Sequence, residues 1–219
     1  MSFNDGLSLH KIQDEHQRER ALEVLAEVYR DEKAWVGDRE SIFPIEDLHS
    51  EKVSWFGTFL NGRVLGVTRI LYELPLALYR EYGFKLTIPD LDVERFVKEN
   101  KIAEVGRFAV RADFRRRFHV AALLMRAVGL DAYDRGFSHL ITDVFEDDPN
   151  TPYHFHRRVL GFKVVATHEM GELNCKSRRI TMLLDLREAA RRVSNKNGWF
   201  YRYLKRGESA TGLDAAVNL

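Results

Sequence analysis

The sequence predicts an α/β fold in which helices cover both faces of a mixed β-sheet. The first indication is the dipeptide Asn61-Gly62, which stands between two strand-like segments, VSWFGTFL and RVLGVTRIL. This dipeptide is typical of two-residue type I′ turns, because both residues of such a turn adopt positive φ. The second is the alternation of strand-like and helix-like segments after residue 100, which is typical of strands joined by crossover helices. A chain of 219 residues is expected to form one domain with appendages rather than two large domains.

In the first half of the chain, spacing and turn residues predict one long helix, the hairpin and two short helices. Apolar residues of the long helix recur at helical spacing, and Asp14 with Gln17 has the pattern of a capping box. The next segment mixes glycine, proline and charged residues with aromatic ones, which predicts an anchored loop. Gly83 and Pro89 mark the end of one short helix and the start of the other. The predicted segments are helix 14–33, loop 35–50, strands 53–60 and 63–71, and helices 74–82 and 90–98.

The second half of the chain reads as strands separated by helices. Gly136 and Gly161 each follow a helix-like segment, at the position where helices commonly end. The predicted order is strand 102–110, helix 118–135, strand 139–145, helix 151–160, strands 162–168 and 178–186, and a C-terminal helix around 186–204. The last 13 residues, GESATGLDAAVNL, are small and polar and predict a mobile tail. We therefore expect one folded domain over residues 1–186, followed by a C-terminal helix and a mobile tail over residues 187–219.

Composition narrows the class of protein. Lysine and arginine number 34 against 33 aspartates and glutamates, and the net charge of +1 removes any global attraction for nucleic acid or membranes. The single cysteine, Cys175, has no partner for an internal disulfide, and the first residues lack the apolar stretch of a secretory signal. No apolar run approaches the roughly 18 residues of a membrane-spanning helix. We expect a cytoplasmic protein without an integral membrane segment.

Positive charge is concentrated at one place in this nearly neutral chain. Between residues 107 and 126 six arginines stand against Asp113 alone, a net charge of +5. Part of this segment precedes a predicted helix, whose first turn presents free backbone N–H groups. A loop of arginines there suits a phosphate or an acidic partner. A solvated entrance to the helix is the alternative interpretation.

Two charged residues interrupt the predicted strand IAEVGRFAV, which is otherwise apolar. Glu104 and Arg107 are costly there unless they face a cleft or a partner. In a regular strand, residues three apart point to opposite faces, so these two line one site only if a bulge intervenes. Gly106 makes a bulge or a close approach of a ligand plausible. The alternative is an ion pair at the end of the strand, with Arg69 of the hairpin as a second partner.

Other arrangements of reactive residues are less favoured. His154, His156, Asp147 and Asp148 form a possible metal site, but residues two apart on a helix lie on different faces, whereas a metal needs convergent ligands. His119 fits packing or phosphate contact better than general base catalysis. The sequence has no recognisable nucleophile motif and neither GxGxxG nor GxxxxGKS, so covalent catalysis and nucleotide hydrolysis are not favoured.

Three segments resemble the GNAT acyltransferase superfamily: GVTRIL at 66–71, AEVGRFAV at 103–110 and YHFHRRVLGFKVV at 153–165. Within it, the combination of the Arg-Ile-Leu strand end with Glu-x-x-Arg-Phe is similar to the acyl-homoserine-lactone (autoinducer) synthases and the N-acyl amino acid synthases. Tyr29 and Trp35 resemble an aromatic pair of the lactone synthases. The resemblance spans about residues 20–185, and it implies a mostly antiparallel sheet that splits between two central strands.

The departures from the family pattern bear on the substrates. Lactone synthases have an arginine where this chain has Leu25, and two aspartates where it has Asp47 and Ser50, so the residues for S-adenosylmethionine are not matched. The pyrophosphate loop of the acetyl-CoA enzymes fits best at residues 116–121, with His119 in place of the central glycine. A side chain there obstructs a pyrophosphate. A donor with a single phosphodiester, such as the phosphopantetheine of an acyl carrier protein, fits better, and the +5 segment suits an acidic carrier.

The resemblance implies an N-acyltransferase that moves a fatty acyl group from an acyl carrier protein or CoA thioester to the amine of an amino-acid-like acceptor, with no tightly bound cofactor. Glu104 is the implied base, and Arg107 or Arg69 holds the acceptor carboxylate. The remaining roles are backbone polarisation of the thioester by Phe108, Ala109 and Val110, an apolar lid of Tyr29, Trp35 and Phe43, and donor phosphate or carrier contacts from Arg111, Arg115, Arg116, Arg117 and His119. The alternatives are an S-adenosylmethionine-dependent lactone synthase and a non-catalytic module that binds acyl carrier or lipid.

Overall fold

The computed structural model describes residues 7–74, 81–116 and 118–195. Most of the predicted helix 74–82 lies outside these residues. So do Arg117, the part of the predicted C-terminal helix beyond residue 195, and the predicted tail. None of the described helices combines the length and the apolar character that crossing a membrane requires.

The described strands form one mixed sheet in the order β1-β2-β3-β5-β6-β8-β7-β4. Every neighbouring pair is antiparallel except the central pair β5 and β6, which is parallel. The predicted mixed, mostly antiparallel sheet is therefore confirmed. The strands are β1 (Leu7–Lys11), β2 (Val53–Leu60), β3 (Arg63–Leu71), β4 (Lys85–Leu86), β5 (Ile102–Val110), β6 (His139–Phe145), β7 (Lys163–His168) and β8 (Arg179–Asp185).

Helices flank the sheet. They include α-helices and two π-helical segments, of which one extends an α-helix. The α-helices are α1 (Glu15–Leu25), α2 (Val93–Glu99), α3 (Phe118–Asp134) and α4 (Leu186–Asn195). Helix α1 begins at Asp14, whose Oδ1 accepts a hydrogen bond of 2.8 Å from the backbone N–H of Gln17. It continues as a π-helical segment, Ala26–Glu32, and a second π-helical segment is Phe155–Leu160.

The hairpin is as the sequence predicted. Strands β2 and β3 have the predicted bounds and pair antiparallel, with Leu60 opposite Arg63. Asn61 has φ of 50° and Gly62 has φ of 79°, as a type I′ turn requires. The hairpin thereby fixes the register that brings Arg69, near the end of β3, beside β5.

The core lies on both faces of the sheet. Val64 and Leu65 are consecutive in β3 and belong to different buried clusters, because successive side chains of a strand point to opposite faces. One cluster packs against α1 and includes Leu22, Trp55 and Val67, whereas the other packs against α3. The helices on both faces confirm the predicted architecture.

Candidate active site

The sheet splits where its two parallel strands separate. Residues Ile102–Val105 of β5 pair with His139–Thr142 of β6, and the pairing stops there in the described chain, although β5 runs on to Val110 and β6 to Phe145. A cavity of about 660 Å³ opens at this point and is lined by both strands. The expectation of a split between the two central strands matches this geometry. Phe108, Ala109 and Val110, expected to polarise a thioester, line the cavity.

A bulge in β5 brings Glu104 and Arg107 to the same cavity. Val67 of β3 stands opposite Ala109, but Arg69 stands opposite Gly106, so two residues of β5, 107 and 108, face one residue of β3. The left-handed residue of the bulge is Arg107, with φ of 49°, and not Gly106. Such a conformation is unusual for a residue with a long side chain and needs support from its surroundings.

The glycine at 106 has a different function, because it makes room for an ion pair. A Cβ at this position would lie 3.3 Å from Arg69 Nη2 and 3.4 Å from Glu104 Oε1. Those two atoms are 3.5 Å apart, at the long limit of an ion pair. Glu104 therefore pairs with Arg69, as the alternative interpretation of an ion pair predicted. Its side chain also lines the cavity.

Glu172 joins the two arginines of the site. Its Oε1 lies 2.6 Å from Arg107 Nη2, and its Oε2 lies 3.4 Å from Arg69 Nη2. Glu172 belongs to the irregular segment between β7 and β8, and nothing in its local sequence pattern predicts this contact, since its partners are 65 and 103 residues away. Glu104, Arg69, Glu172 and Arg107 thus form a chain of alternating charges that we call the charge quartet.

Burial and neighbouring charges shift the pKa values of three groups of the quartet: Glu172, Arg69 and Arg107. Burial on its own raises the pKa of the Glu172 carboxyl, but the attraction of Arg69 and Arg107 outweighs burial and holds its pKa below the usual range. For Arg69, burial is outweighed by Glu172 and Glu104, which raise its pKa. Burial lowers the pKa of Arg107, and Arg69 adds to this effect against the opposing charge of Glu172.

An aromatic wall closes one side of the cavity. The Tyr29 and Trp35 rings have centroids 5.8 Å apart, and Trp35 contacts Phe145 of β6 at 4.2 Å. The Tyr29 hydroxyl donates a hydrogen bond of 3.3 Å to the carbonyl of Phe108, next to the bulge. Lys33 lies 4.5 Å from the centroid of the Trp35 ring and pairs with Asp148 at 2.6 Å. Tyr29 and Trp35 therefore both line the cavity.

Phe43 is not part of this wall, and its expected lid role is wrong. It is fully buried and stacks on Trp55 with centroids 3.9 Å apart and planes inclined by 13°. Both rings belong to the core beneath α1, and Phe43 does not line the cavity. Its apolar surface is used in packing, which removes it from contact with a substrate.

Two further residues at the cavity carry polar groups that the sequence did not assign to the reaction. Asp143, the first residue of β6 beyond the ladder with β5, accepts hydrogen bonds from Thr181 Oγ1 at 2.7 Å and contacts His168 Nε2 at 3.1 Å. His156 is buried, and its Nδ1 donates to the carbonyl of Pro152 at 2.9 Å. Its Nε2 has no hydrogen-bond partner among the described residues.

The histidines and aspartates suggested as metal ligands do not converge. His156 is buried among aromatic rings, whereas His154, just before the π-helical segment, is exposed. Asp148 pairs with Lys33. Within residues 7–74, 81–116 and 118–195, no group of three or more histidine, cysteine, aspartate or glutamate side chains is arranged to hold a metal ion.

Two arginines of the segment 107–126 form ion pairs with glutamates of α1 and of the π-helical segment that follows it. Arg111 forms ion pairs with Glu27 and Glu23, and Arg115 pairs with Glu32. Arg111 and His119 do not line the cavity, so their expected contact with the donor phosphate is not favoured. The reason is that the Arg111 side chain turns toward the π-helical segment Ala26–Glu32.

Arg115 and Arg116 do line the cavity. Arg116 is exposed and forms no ion pair with any residue that the structure describes. Arg117 lies outside the described residues.

Comparison with solved structures identifies the fold. FeeM, an N-acyl amino acid synthase from uncultured soil microbes, is similar with a TM-score of 0.63 and 21% identity over 84% of this chain and 93% of that chain. An N-acetyltransferase from Staphylococcus aureus Mu50 gives a TM-score of 0.60 at 16% identity, over 83% and 99%. An aminoglycoside 6′-N-acetyltransferase complexed with coenzyme A gives 0.56 at 12% identity, over 82% and 96%.

The chain therefore has the fold of the GNAT acyltransferases, as its sequence motifs predicted, and FeeM is among its structural neighbours. No protein-family model matches the sequence, and a search of curated proteins finds no match.

Proposed function

We propose that the protein is an N-acyltransferase that moves a fatty acyl group from a phosphopantetheine thioester to the amine of an amino-acid-like acceptor. The observation that carries this proposal is the charge quartet at the split of the sheet. It puts a carboxylate, Glu104, and two buried guanidinium groups on the wall of one cavity of about 660 Å³. A zwitterionic acceptor carries the complementary charges.

Proton transfer to Glu104 starts the reaction that we propose. The ammonium group of the acceptor has no lone pair, so it must lose a proton before its nitrogen attacks the thioester carbonyl carbon. Glu104 accepts this proton, directly or through water, and releases it to solvent. As the C–N bond forms and the C–S bond breaks, the nitrogen loses a second proton, which ends on the sulfur of the leaving thiol.

Backbone N–H groups of β5 are suited to stabilise the oxyanion. Beyond the bulge, residues 108–110 face the split and are not paired with β6. N–H groups fixed in this way stabilise developing negative charge by an order of several kcal/mol, because they need no reorganisation during the reaction. We assign this role to the segment Phe108, Ala109 and Val110.

The two arginines are suited to bind the acceptor carboxylate. A guanidinium group presents parallel N–H donors that match the two oxygens of a carboxylate. Arg69 and Arg107 are both only 8% exposed, so their electrostatic attraction is weakly screened by water. Trp35 and Tyr29 supply an apolar wall beside them.

The donor that we propose is an acyl carrier protein, with acyl-CoA as the alternative. Both present the acyl group on the same phosphopantetheine arm. Arg116 supports the carrier, because it is exposed at the cavity and its charge is not neutralised by a described residue. The neighbour bound to coenzyme A and the N-acyl amino acid synthase FeeM have the same fold as this chain.

Direct assay tests the proposal. Purified protein is incubated with acyl carrier protein thioesters and acyl-CoA of several chain lengths and with a pool of amino acids, and free thiol and N-acyl products are measured. The expected result is release of both in equal amounts. No turnover with any donor would refute the proposal. Consumption of S-adenosylmethionine with release of methylthioadenosine would identify a lactone synthase instead.

Glu104→Gln separates an enzyme from a binding protein. We expect kcat to fall at least about 100-fold, because the variant cannot accept the proton, while the affinity for the acylated carrier is unchanged. Glu99→Gln is the control, since Glu99 is exposed on α2, forms an ion pair of 2.8 Å with Arg95 and does not line the cavity. A variant with full activity would exclude Glu104 as the base.

A further inference from the structure

Glu172 binds the two arginines in the way that a substrate carboxylate would. Each of its oxygens contacts a different guanidinium, Oε1 that of Arg107 at 2.6 Å and Oε2 that of Arg69 at 3.4 Å. A free amino acid has a carboxylate of identical size and charge. The position of Glu172 therefore marks a site in which a carboxylate fits between the two arginines.

The two arginines require a carboxylate at this position. Both are 8% exposed, and two buried guanidinium groups near each other repel unless an anion lies between them. Glu104 Oε1 lies 3.5 Å from Arg69 Nη2. Glu172 is the residue that bridges both, so any ligand that removes it must replace its negative charge.

The arginines retain hydrogen-bonding capacity that Glu172 does not use. Arg69 Nε and Arg107 Nε are buried, and neither has a hydrogen-bond partner among the described residues. Buried donors without a partner are costly and uncommon in folded proteins. A carboxylate that enters the cavity and reaches these Nε groups gains hydrogen bonds that are unmade in the presence of Glu172 alone.

Displacement of Glu172 needs only a side-chain rotation. Its side chain is 54% exposed, unlike those of the arginines. The backbone around it is held: Arg179 donates to the carbonyls of Glu169 at 2.6 Å and Leu173 at 2.7 Å, and the Asn174 N–H donates to the carbonyl of Trp35 at 2.9 Å. The segment can therefore stay in place while the carboxylate turns to solvent.

We infer that Glu172 is an internal competitor of the acceptor, which occupies the acceptor-carboxylate subsite until the carboxylate of the substrate displaces it. This inference rests on the proposed function. It makes Glu172 a specificity-determining residue, because only an acceptor that carries its own carboxylate can take over the charge that Glu172 supplies. Amines without a carboxylate leave Glu172 in place and bind poorly.

The first experiment compares Glu172→Gln with the wild-type protein. Binding of amino acids is measured by calorimetry and KM by the thiol-release assay, with the matching amino acid amides as carboxylate-free acceptors. We expect about tenfold lower Kd and KM for the amino acids in the variant and unchanged values for the amides. Glu146→Gln is the matched control, because Glu146 also forms an ion pair of 2.6 Å with an arginine, Arg178, but does not line the cavity.

A second readout does not depend on turnover. Glu172→Ala leaves both arginines without their bridging anion, so we expect a lower Tm that millimolar acetate restores. Wild type and Glu146→Ala should not respond to acetate in this way. This measurement remains informative if Glu172→Gln folds poorly.

The outcomes separate the inference from the proposed function. A higher KM for amino acids in Glu172→Gln, with no response of Glu172→Ala to acetate, would show that Glu172 only positions the arginines and would overturn the inference. The wild-type enzyme would in that case still turn over. Absence of turnover in the wild type would refute the proposed function, whereas a specific acetate response would still support the carboxylate subsite.

Discussion

At the residue scale, burial holds two ring side chains of the cavity in their neutral forms. Burial raises the pKa of the Tyr29 hydroxyl to about 12, so it remains a hydrogen-bond donor to Phe108. Burial lowers the pKa of His156 to about 4 against the weaker opposing effect of its hydrogen bond to Pro152. With Nδ1 donating to that carbonyl, Nε2 of His156 is a fixed acceptor on the cavity wall.

The pKa of His156 predicts loss of stability in mild acid. The folded value is about 4 and the ordinary value is 6.5, so between these pH values the unfolded chain binds more protons than the folded one. The free energy of unfolding therefore falls as the pH falls through this window, by roughly 2 to 3 kcal/mol between pH 7 and pH 4.5 from this group.

Urea unfolding at the two pH values measures this loss. We expect His156→Gln to lose less stability between pH 7 and pH 4.5 than the wild type by about that amount. His154→Gln, which changes an exposed ring just before the π-helical segment, is the control. Equal losses in wild type and His156→Gln would show that folding does not lower the pKa of His156.

At the element scale, β3 lies in close contact with α3 and β5 at Gly66. A Cβ at Gly66 would lie 2.9 Å from Val120 Cγ1 of α3 and 3.1 Å from the carbonyl oxygen of Ala109 in β5. In contrast, a Cβ at Gly129, on α3 itself, would meet nothing within 4 Å.

These two glycines predict opposite effects of the same substitution. We expect Gly66→Ala to destabilise the protein by about 1 to 3 kcal/mol, because the methyl group overpacks the contact between β3 and α3. Gly129→Ala should stabilise it by up to about 1 kcal/mol, since alanine favours the helix interior over glycine. Thermal unfolding measures both. A stable Gly66→Ala would mean that α3 can move away from the sheet.

Local patterns predicted the elements well, because hydrophobic periodicity and turn residues act over short distances. The hairpin with its Asn61-Gly62 turn, strand β5 and helix α3 follow from such patterns. Strand β1 has five residues and β4 only two, which is too short for a pattern. The π-helical turns depend on packing as well as on helix propensity, and the sequence predicted ordinary helix there.

The candidate site was predictable only in part. Glu104, Arg107 and Arg69 stand out as charges in apolar strands, and the structure brings them together at the cavity. Glu172 lies in an irregular segment, and its contacts depend on the order of strands in the sheet. Phe43 was misassigned because sequence does not distinguish an aromatic core residue from an aromatic wall. Arg111 and Arg115 of the arginine segment pair with glutamates that are more than 80 residues away, such as Glu32, and no local pattern predicts these contacts.

At the scale of the whole molecule, the ion pairs of Arg111 and Arg115 with glutamates change the charge that a partner meets at the cavity. Arg111 and Arg115 join the end of β5 to the π-helical segment Ala26–Glu32. They thereby tie Tyr29, which lies on that segment, to the bulge. Arg116 is the exposed cation at the cavity that the described residues do not neutralise. Electrostatic attraction of an acidic carrier should therefore depend strongly on this residue.

Reversal of the charge of Arg116 tests whether this residue contacts an acyl carrier protein. We expect Arg116→Glu to raise KM for acyl carrier protein donors several-fold at low salt, and the difference to shrink above about 0.5 M salt because exposed charges are screened. KM for a short synthetic thioester should not change. Arg95→Glu, an exposed arginine that does not line the cavity, is the control. An equal effect on both kinds of donor would contradict a carrier contact at Arg116.

The parallel pair of β5 and β6 also divides the described sheet into two halves. Four of the described strands lie on each side of it, β1, β2, β3 and β5 on one side and β6, β8, β7 and β4 on the other. Four residue pairs join these two halves. The antiparallel ladder between β6 and β8 spans seven pairs. Separation of the two halves would therefore break fewer hydrogen bonds than separation of β6 from β8, and it would widen the cleft for a bulkier substrate while each half kept its own register.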